Sequence, residues 1–193
     1  MKAGLPQLIN SIAVLEESDM DSILALFRKK SLKKGDYFLR EGEICRNIAY
    51  LESGLVRYFV HKKDEEATFE FTHETEFIGD YQSFDSQSIS IQNIQAIEDC
   101  SLLTIDYHNL HYIFNNIDKG NYLGRVIIER RFGIMVGQLM SIYMHDHEER
   151  YRNFIKYYSH LIQRIPQYMI ASYVGVRPPS LSRIRKRFVE NKS

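Results

Sequence analysis

Between Lys119 and His145 the chain contains no proline, and within that stretch Ile128, Phe132, Met135, Leu139 and Ile142 follow one another at spacings of four, three, four and three residues. A seven-residue repeat of this kind lays its apolar side chains along a long α-helix as one continuous seam. Leu123, Ile127 and Ile134 add a second line, and Gly133 and Gly137 lie four apart, where they would permit close backbone approach. Such a helix can simply pack on its own domain. The wider apolar surface favours a helix that also pairs with its twin about a two-fold axis, so a homodimer is expected.

The sequence before this helix follows two other rhythms. From Leu5 to Phe27, Leu5, Leu8, Ile12 and Leu15, then Met20, Ile23, Leu24 and Phe27, recur at helical spacing and predict one or two short helices. From Leu32 onward, β-branched and aromatic segments are punctuated by Lys34-Gly35-Asp36, Glu41-Gly42-Glu43 and Glu52-Ser53-Gly54. Many short strands separated by turns indicate a sandwich or barrel. Segments 55–61 and 67–72 flank a charged tip, Lys62 to Glu66, and predict a hairpin; 89–97 and 101–105 are further strand candidates.

Length and composition set the outer bounds. The 193 residues allow one large domain or two small ones, and 44% hydrophobic with 26% charged residues is the make-up of a folded protein. The formal charge balances at 25 basic against 25 acidic residues, but residues 146–193 hold ten Lys/Arg against four Asp/Glu. That leaves the last 48 residues at +6 and the rest at −6, an asymmetry that points to a polyanionic partner for the tail. Two cysteines, Cys45 and Cys100, make neither a four-cysteine metal site nor a disulfide framework, so a reducing cytoplasm is expected. No stretch reaches 18 apolar residues and the N-terminus lacks a signal-peptide core, so neither membrane insertion nor export is expected.

The tail carries the most specific pattern, IPQYMIASYVGVRPPSLSRIRKRF over residues 165–188. Pro166 suits the first turn of a helix whose buried side is Ile170, Ala171 and Val174. Gly175 breaks that helix, and a second begins at Pro178 with Leu181, Ile184 and Phe188 on its buried face. Pro179, Ser180, Arg183, Lys186 and Arg187 then point outward, with Ser182 and Arg185 on the flanks. Two short helices about a glycine turn, the second basic on its exposed side, fit the helix-turn-helix plan for entering a major groove. Arg183 stands where a guanidinium can grip a guanine edge, with Ser180 and Pro179 beside it as base-reading candidates. Ser182, Arg185, Lys186, Arg187 and Arg177 are the phosphate-contact candidates.

With these segments in hand, the chain resembles the Crp/Fnr superfamily of transcription regulators. The resemblance runs from Leu32-Lys33-Lys34-Gly35-Asp36 and Arg40-Glu41-Gly42-Glu43 through Glu52-Ser53-Gly54-Leu55-Val56-Arg57, Phe77-Ile78-Gly79-Asp80 and Glu148-Glu149-Arg150-Tyr151 to the terminal motif. It implies an α+β fold: a jelly roll of the cyclic-nucleotide-binding type with N-terminal helices over 1–116, a long dimerisation helix over 117–145, and a DNA-binding helix-turn-helix over 146–193. It also implies a dimer on a pseudopalindromic duplex, with Arg183 in the reading position. Family members usually carry a β-wing beside the helix-turn-helix; only Val189 to Ser193 follow Phe188, so a shortened DNA-binding unit is expected.

In the nucleotide-binding members of that superfamily, a glycine and an acidic residue are followed by an arginine that grips the cyclic phosphate. Gly79 and Asp80 keep the first part, but the arginine position falls on Ser90. Not one Lys or Arg lies between Lys63 and Lys119, against twelve Asp/Glu over the same stretch. A buried phosphate needs charge-assisted donors, so a response to cyclic nucleotides is not expected. Arg57 could reach the pocket from elsewhere. The roll either holds an unidentified small effector, around Gly79, Asp80, Ser90 and Arg57, or is filled by its own side chains.

Catalysis finds little footing. His73, His108 and His111 are dispersed, and His145-Asp146-His147-Glu148 reads as a polar helix cap. No metal, no cofactor and no enzymatic activity are expected. The competing reading is a protein-interaction or small-ligand module on the same roll, with the terminal helices docking a protein instead of DNA.

Overall fold

A computed structural model describes residues 4–63 and 65–190, the side chain of Val189 excepted. Asp64 of the charged tip and Asn191 to Ser193 of the tail lie outside the described residues. The chain divides into two compact units, Met1–Val60 with Phe71–Phe132, and His61–Glu70 with Gly133–Ser193.

The first unit opens with α1 (Leu5–Ile12) and α2 (Glu17–Ala25). Gly4 donates its N–H to Gln7 Oε1 at 2.8 Å and Pro6 sits in the first turn, so α1 begins where the local chemistry favours it. Eight strands follow: β1 (Arg28–Leu32), β2 (Tyr37–Leu39), β3 (Asn47–Ser53), β4 (Leu55–Lys62), β5 (Glu65–His73), β6 (Phe77–Ile78), β7 (Asn93–Ala96) and β8 (Cys100–Asp106). They form two four-stranded sheets, in the orders β1-β8-β3-β6 and β2-β7-β4-β5. Two sheets of four strands with these crossovers are the expected jelly roll.

Register decides which side chains share a face. Leu51 pairs with Leu102, and Leu32 with Cys100, placing one set on a common face; Tyr50 pairs with Leu103 on the other. The Tyr50 face is covered by helices, in a cluster that joins Leu5, Ile9 and Ile23 to Ile105, Ile113 and Leu123. Each fully buried side chain of this size contributes roughly 1.5–3 kcal/mol of transfer free energy. The N-terminal helices are therefore part of the first unit's core.

Two shorter helices, α3 (Tyr81–Ser86) and α4 (Tyr107–Asn116), and the start of the long α5 (Gly120–Met144) complete the frame. Gly120 lies so close to α4 that a Cβ there would stand 2.0 Å from the Ile113 carbonyl oxygen, which requires glycine at this helix start. Beyond its first turns α5 is uncovered. Ile128, Phe132, Met135, Leu139 and Ile142 are all exposed, Phe132 at 66%, and Gly133 and Gly137 face open space.

The second unit holds α6 (His147–Tyr158), a 3-10 turn (Ser159–Leu161), α7 (Gln167–Val174) and α8 (Pro178–Glu190). Asp146 caps α6 in a reciprocal box: its carboxylate accepts the Glu149 N–H at 2.9 Å, and Glu149 accepts the Asp146 N–H at 3.0 Å. Tyr151, Phe154, Leu161, Ile170, Ala171, Val174, Leu181 and Ile184 are buried and form the small core.

Four sequence expectations shift in detail. Segment 89–97 forms a strand only over Asn93–Ala96, with an isolated bridge from Ile89 to Ile44, because the preceding residues are tied to the loop between β2 and β3. The charged tip is tighter than residues 62–66: β4 runs through Lys62 and β5 resumes at Glu65, and Lys63 takes the left-handed conformation, φ +59°. Pro166 stands one place ahead of α7, as its N-cap, since its ψ of 139° is extended. Phe188 is half-buried, where Leu181 and Ile184 are fully buried.

Candidate nucleic-acid interface

The turn between α7 and α8 is fixed by hydrogen bonds from both sides. Gly175 takes φ +84°, and its N–H donates to Ala171 and Ser172 carbonyls at 2.9 and 3.1 Å, while the Val176 N–H donates to Ala171 at 2.9 Å. A Cβ at Gly175 would stand 2.9 Å from the Arg150 guanidinium, so α6 as well as the turn needs glycine there. Arg150 donates to the Tyr173 carbonyl at 2.6 Å, and His147 Nδ1 lies 3.2 Å from the Val174 carbonyl oxygen. Both α6 side chains thus satisfy the orphan carbonyls at the end of α7.

α8 lies with Leu181 and Ile184 against this scaffold, and Phe188 meets Tyr151 edge-on with ring centroids 5.7 Å apart. By subtraction, Pro179, Ser182, Arg183 and Lys186 project from the exposed face; Ser180 is half-buried beside them and Arg177 is exposed just ahead. Arg183 donates to Ser180 Oγ at 3.4 Å, a long contact that leaves the guanidinium outward. Ser182 Oγ donates to the Pro178 carbonyl at 3.2 Å, and Lys186 Nζ lies 3.9 Å from Glu190.

The remaining two phosphate candidates already have partners. Arg187 is ion-paired with Glu148 at 2.5 Å. Arg185 donates to the Gln167 side-chain oxygen on α7 and bonds the Tyr151 phenol, whose pKa is raised by burial and drawn back by that arginine. These cations brace α8 on α6 and α7 as well as adding charge.

In the roll, Gly79, Asp80 and Ser90 converge. Ser90 Oγ donates to Asp80 Oδ2 at 2.7 Å, and the other Asp80 oxygen accepts the Ser83 N–H at 3.2 Å, capping α3. The Gly79 N–H donates to the Tyr58 hydroxyl at 3.1 Å. Arg57 is not brought to this group. It neighbours Tyr58 on β4 and so faces the opposite side of the sheet, where its guanidinium donates to Gln95 Oε1 at 3.1 and 2.8 Å and covers the Phe59 ring.

Residues 29–116 match the cyclic nucleotide-binding domain family. No curated protein matches the sequence. Among solved structures, the c-di-GMP responsive global regulator CLP of Xanthomonas campestris superposes with a TM-score of 0.72 at 16% identity, over 92% of this chain and 93% of that one. The catabolite activator protein of Thermus thermophilus gives 0.58 at 18% identity, covering 94% and 87%. A protein from Eubacterium rectale, assigned to the crp/fnr family of transcriptional regulators, gives 0.67 at 17% identity, covering 92% and 85%. The fold is therefore shared with these structures over more than nine-tenths of this chain.

Within the second unit, the tail makes contacts that the sequence does not signal. Ser172 on α7 donates to the Glu66 carbonyl at 2.6 Å and accepts the Thr68 N–H at 2.9 Å, both on the segment His61–Glu70. These partners lie more than a hundred positions away and carry no spacing signal. The Glu148–Arg187 pair is similarly silent in sequence, although an acidic first turn on α6 opposite a basic helix was visible. No helix among the described residues is long and apolar enough to cross a membrane, and no group of metal-ligating side chains gathers among them.

Proposed function

We propose that the chain is a homodimeric, sequence-specific DNA-binding transcription regulator, in which α8 enters the major groove of each half of a pseudopalindromic duplex. The observation that carries this reading is the exposed Arg183, on a helix anchored by Leu181 and Ile184 immediately after the Gly175 turn. The fold it shares with solved regulators supports it. Arg183 reads a base edge with Ser180 and Pro179 beside it; Lys186, Arg177 and Ser182 meet phosphates, and Arg185 and Arg187 contribute charge while bracing the helix. The exposed apolar length of α5 is the surface through which two copies pair, because an uncovered run of this size is unfavourable in water.

Within this reading the cyclic nucleotide-binding domain does not respond to cyclic nucleotides. Ser90 holds the arginine's place and spends its hydroxyl on Asp80, and the Gly79 amide is already met by Tyr58. Residues 1–116 serve as the roll, 117–145 as the pairing helix and 146–193 as the reader, in a cytoplasmic protein without catalytic function.

Titration of a labelled operator duplex tests the reading. Arg183→Ala is expected to cost about 1–3 kcal/mol and to relax discrimination at one base pair per half-site. Unchanged affinity and unchanged base preference would remove α8 from the groove. The internal partners of Arg185 and Arg187 favour one alternative, a tail that docks a protein; it predicts no salt-sensitive duplex binding at all.

A further inference from the structure

The first unit has a cleft of about 450 Å³ lined by Lys30, Phe38, Leu39, Glu43, Ile44, Cys45, Arg46 and Asn47, whose loop residues Glu43 and Cys45 are hydrogen-bonded to Ser90 and Asp80. We propose that this cleft is a binding site for a small organic anion, one carboxylate or phosphate monoester on an apolar body, held between Lys30 and Arg46 over a floor of Phe38, Leu39 and Ile44.

The position of Lys30 is the first argument. It pairs with Leu102, which pairs in turn with Leu51, so its stem lies on the sheet face opposite the one Tyr50 and Leu103 turn to the helices. β1 and β2 are the edge strands of their sheets, so the lysine enters the cleft from an edge, and its ammonium rests 5.5 Å from the Phe38 ring. A lysine on an edge strand also guards against strand pairing. That role alone does not account for Arg46, an exposed residue of the loop after Glu43 that also lines the cleft. Among the described residues neither cation is ion-paired with a carboxylate. Two unneutralised cations beside one apolar floor are the donor set an organic anion needs.

The second argument is that the loop is held in place. The Ser90 N–H donates to the Glu43 carbonyl at 2.8 Å, the Gly42 N–H to the Ser90 carbonyl at 2.8 Å, and the Cys45 N–H to Ser83 Oγ at 2.9 Å. Cys45 Sγ donates to the Asn47 carbonyl at 3.2 Å, and burial pushes this thiol up to about 11, so it acts as a strut and not as a nucleophile. The residues presenting Arg46 are thereby fixed before any ligand arrives, which lowers the cost of binding. The volume lies within the range of small-molecule sites.

The test uses the full chain and four probes: benzoate, phenyl phosphate, inorganic phosphate and benzyl alcohol, titrated by calorimetry and by amide chemical shifts. Benzoate or phenyl phosphate is expected to saturate, with shifts centred on residues 38–47. Benzyl alcohol, lacking the charge, and inorganic phosphate, lacking the body, should bind at least roughly tenfold more weakly. Lys30→Gln and Arg46→Gln should each weaken the organic anion by about tenfold, whereas Arg183→Ala leaves it unchanged. Both substituted side chains are exposed, so unaltered melting curves are expected to show that folding is intact. Absence of saturable binding, equal affinity for inorganic phosphate, or indifference to both substitutions would each overturn the proposal. None of these outcomes depends on whether the tail binds DNA.

Discussion

The Arg187 guanidinium on α8 lies 2.5 Å from the Glu148 carboxylate in the first turn of α6, although 39 positions separate them in the chain. Both side chains are about half exposed, so the pair adds little to stability, and its consequence is electrostatic. A cation spent on an internal carboxylate is one fewer for a phosphate. Glu148→Gln should therefore raise duplex affinity across all sequences and steepen the dependence of log K on log salt by about 1. Salt titrations of both proteins on one duplex check this; an unchanged slope would show that Arg187 never reaches the backbone.

A second expectation concerns α5. Phe132 is exposed in the middle of the apolar seam, where a carboxylate would be intolerable against a twin helix. Phe132→Glu should leave the fold intact and convert a dimer to a monomer by sedimentation. Losing the second tail should then weaken palindromic duplex binding by on the order of 100-fold. A variant that stays dimeric would move the interface elsewhere.

The bridge made by Ser172 gives a stability prediction. Thr68 is buried, and its N–H loses its acceptor in Ser172→Ala, as does the Glu66 carbonyl its donor. A buried donor left unpaired costs about 1–3 kcal/mol. The urea midpoint should fall accordingly with an unchanged slope. An unmoved midpoint would mean that water replaces the serine at no cost.

Acid stability should report the α6 cap. The N–H of Glu149, with that of Glu148, holds the Asp146 carboxyl below its usual range. A carboxyl depressed in the folded state stabilises it above the unfolded value, about 3.9, and that contribution fades as pH falls through the folded value. Asp146→Asn keeps an acceptor but not the charge. The melting difference between the two proteins is expected to be largest near neutrality and to shrink below about pH 4. A difference constant with pH would assign the effect to geometry alone.

Much of the fold was legible because it rests on short-range periodicity. The seam from Ile128 to Ile142, the glycine-marked strand turns and the break at Gly175 all appear where the spacing put them. So did the outward turn of Arg183, since burying Leu181 and Ile184 leaves the opposite face in water. What was not legible depends on groups distant in sequence. Arg57 was placed near Gly79 from its charge alone, but strand alternation beside Tyr58 sends it to the other face and to Gln95. Arg185 and Arg187 read as free cations because nothing local reveals Gln167, Tyr151 or Glu148 as partners. The cleft at Lys30 and Arg46 is hidden for the same reason: a strand edge and a loop meet only once the sheets are assembled.

The central claim is that two copies of α8 read one duplex together. Selection of bound duplexes from a random library, run with the wild type and with Arg183→Ala, tests it most directly. The wild type should recover an inverted repeat whose half-sites lie about 34 Å apart, one helical turn or a multiple of it, and the variant should lose one conserved base pair from each half. Recovery of no repeat, or of the same repeat with the same base preferences by both proteins, would contradict it.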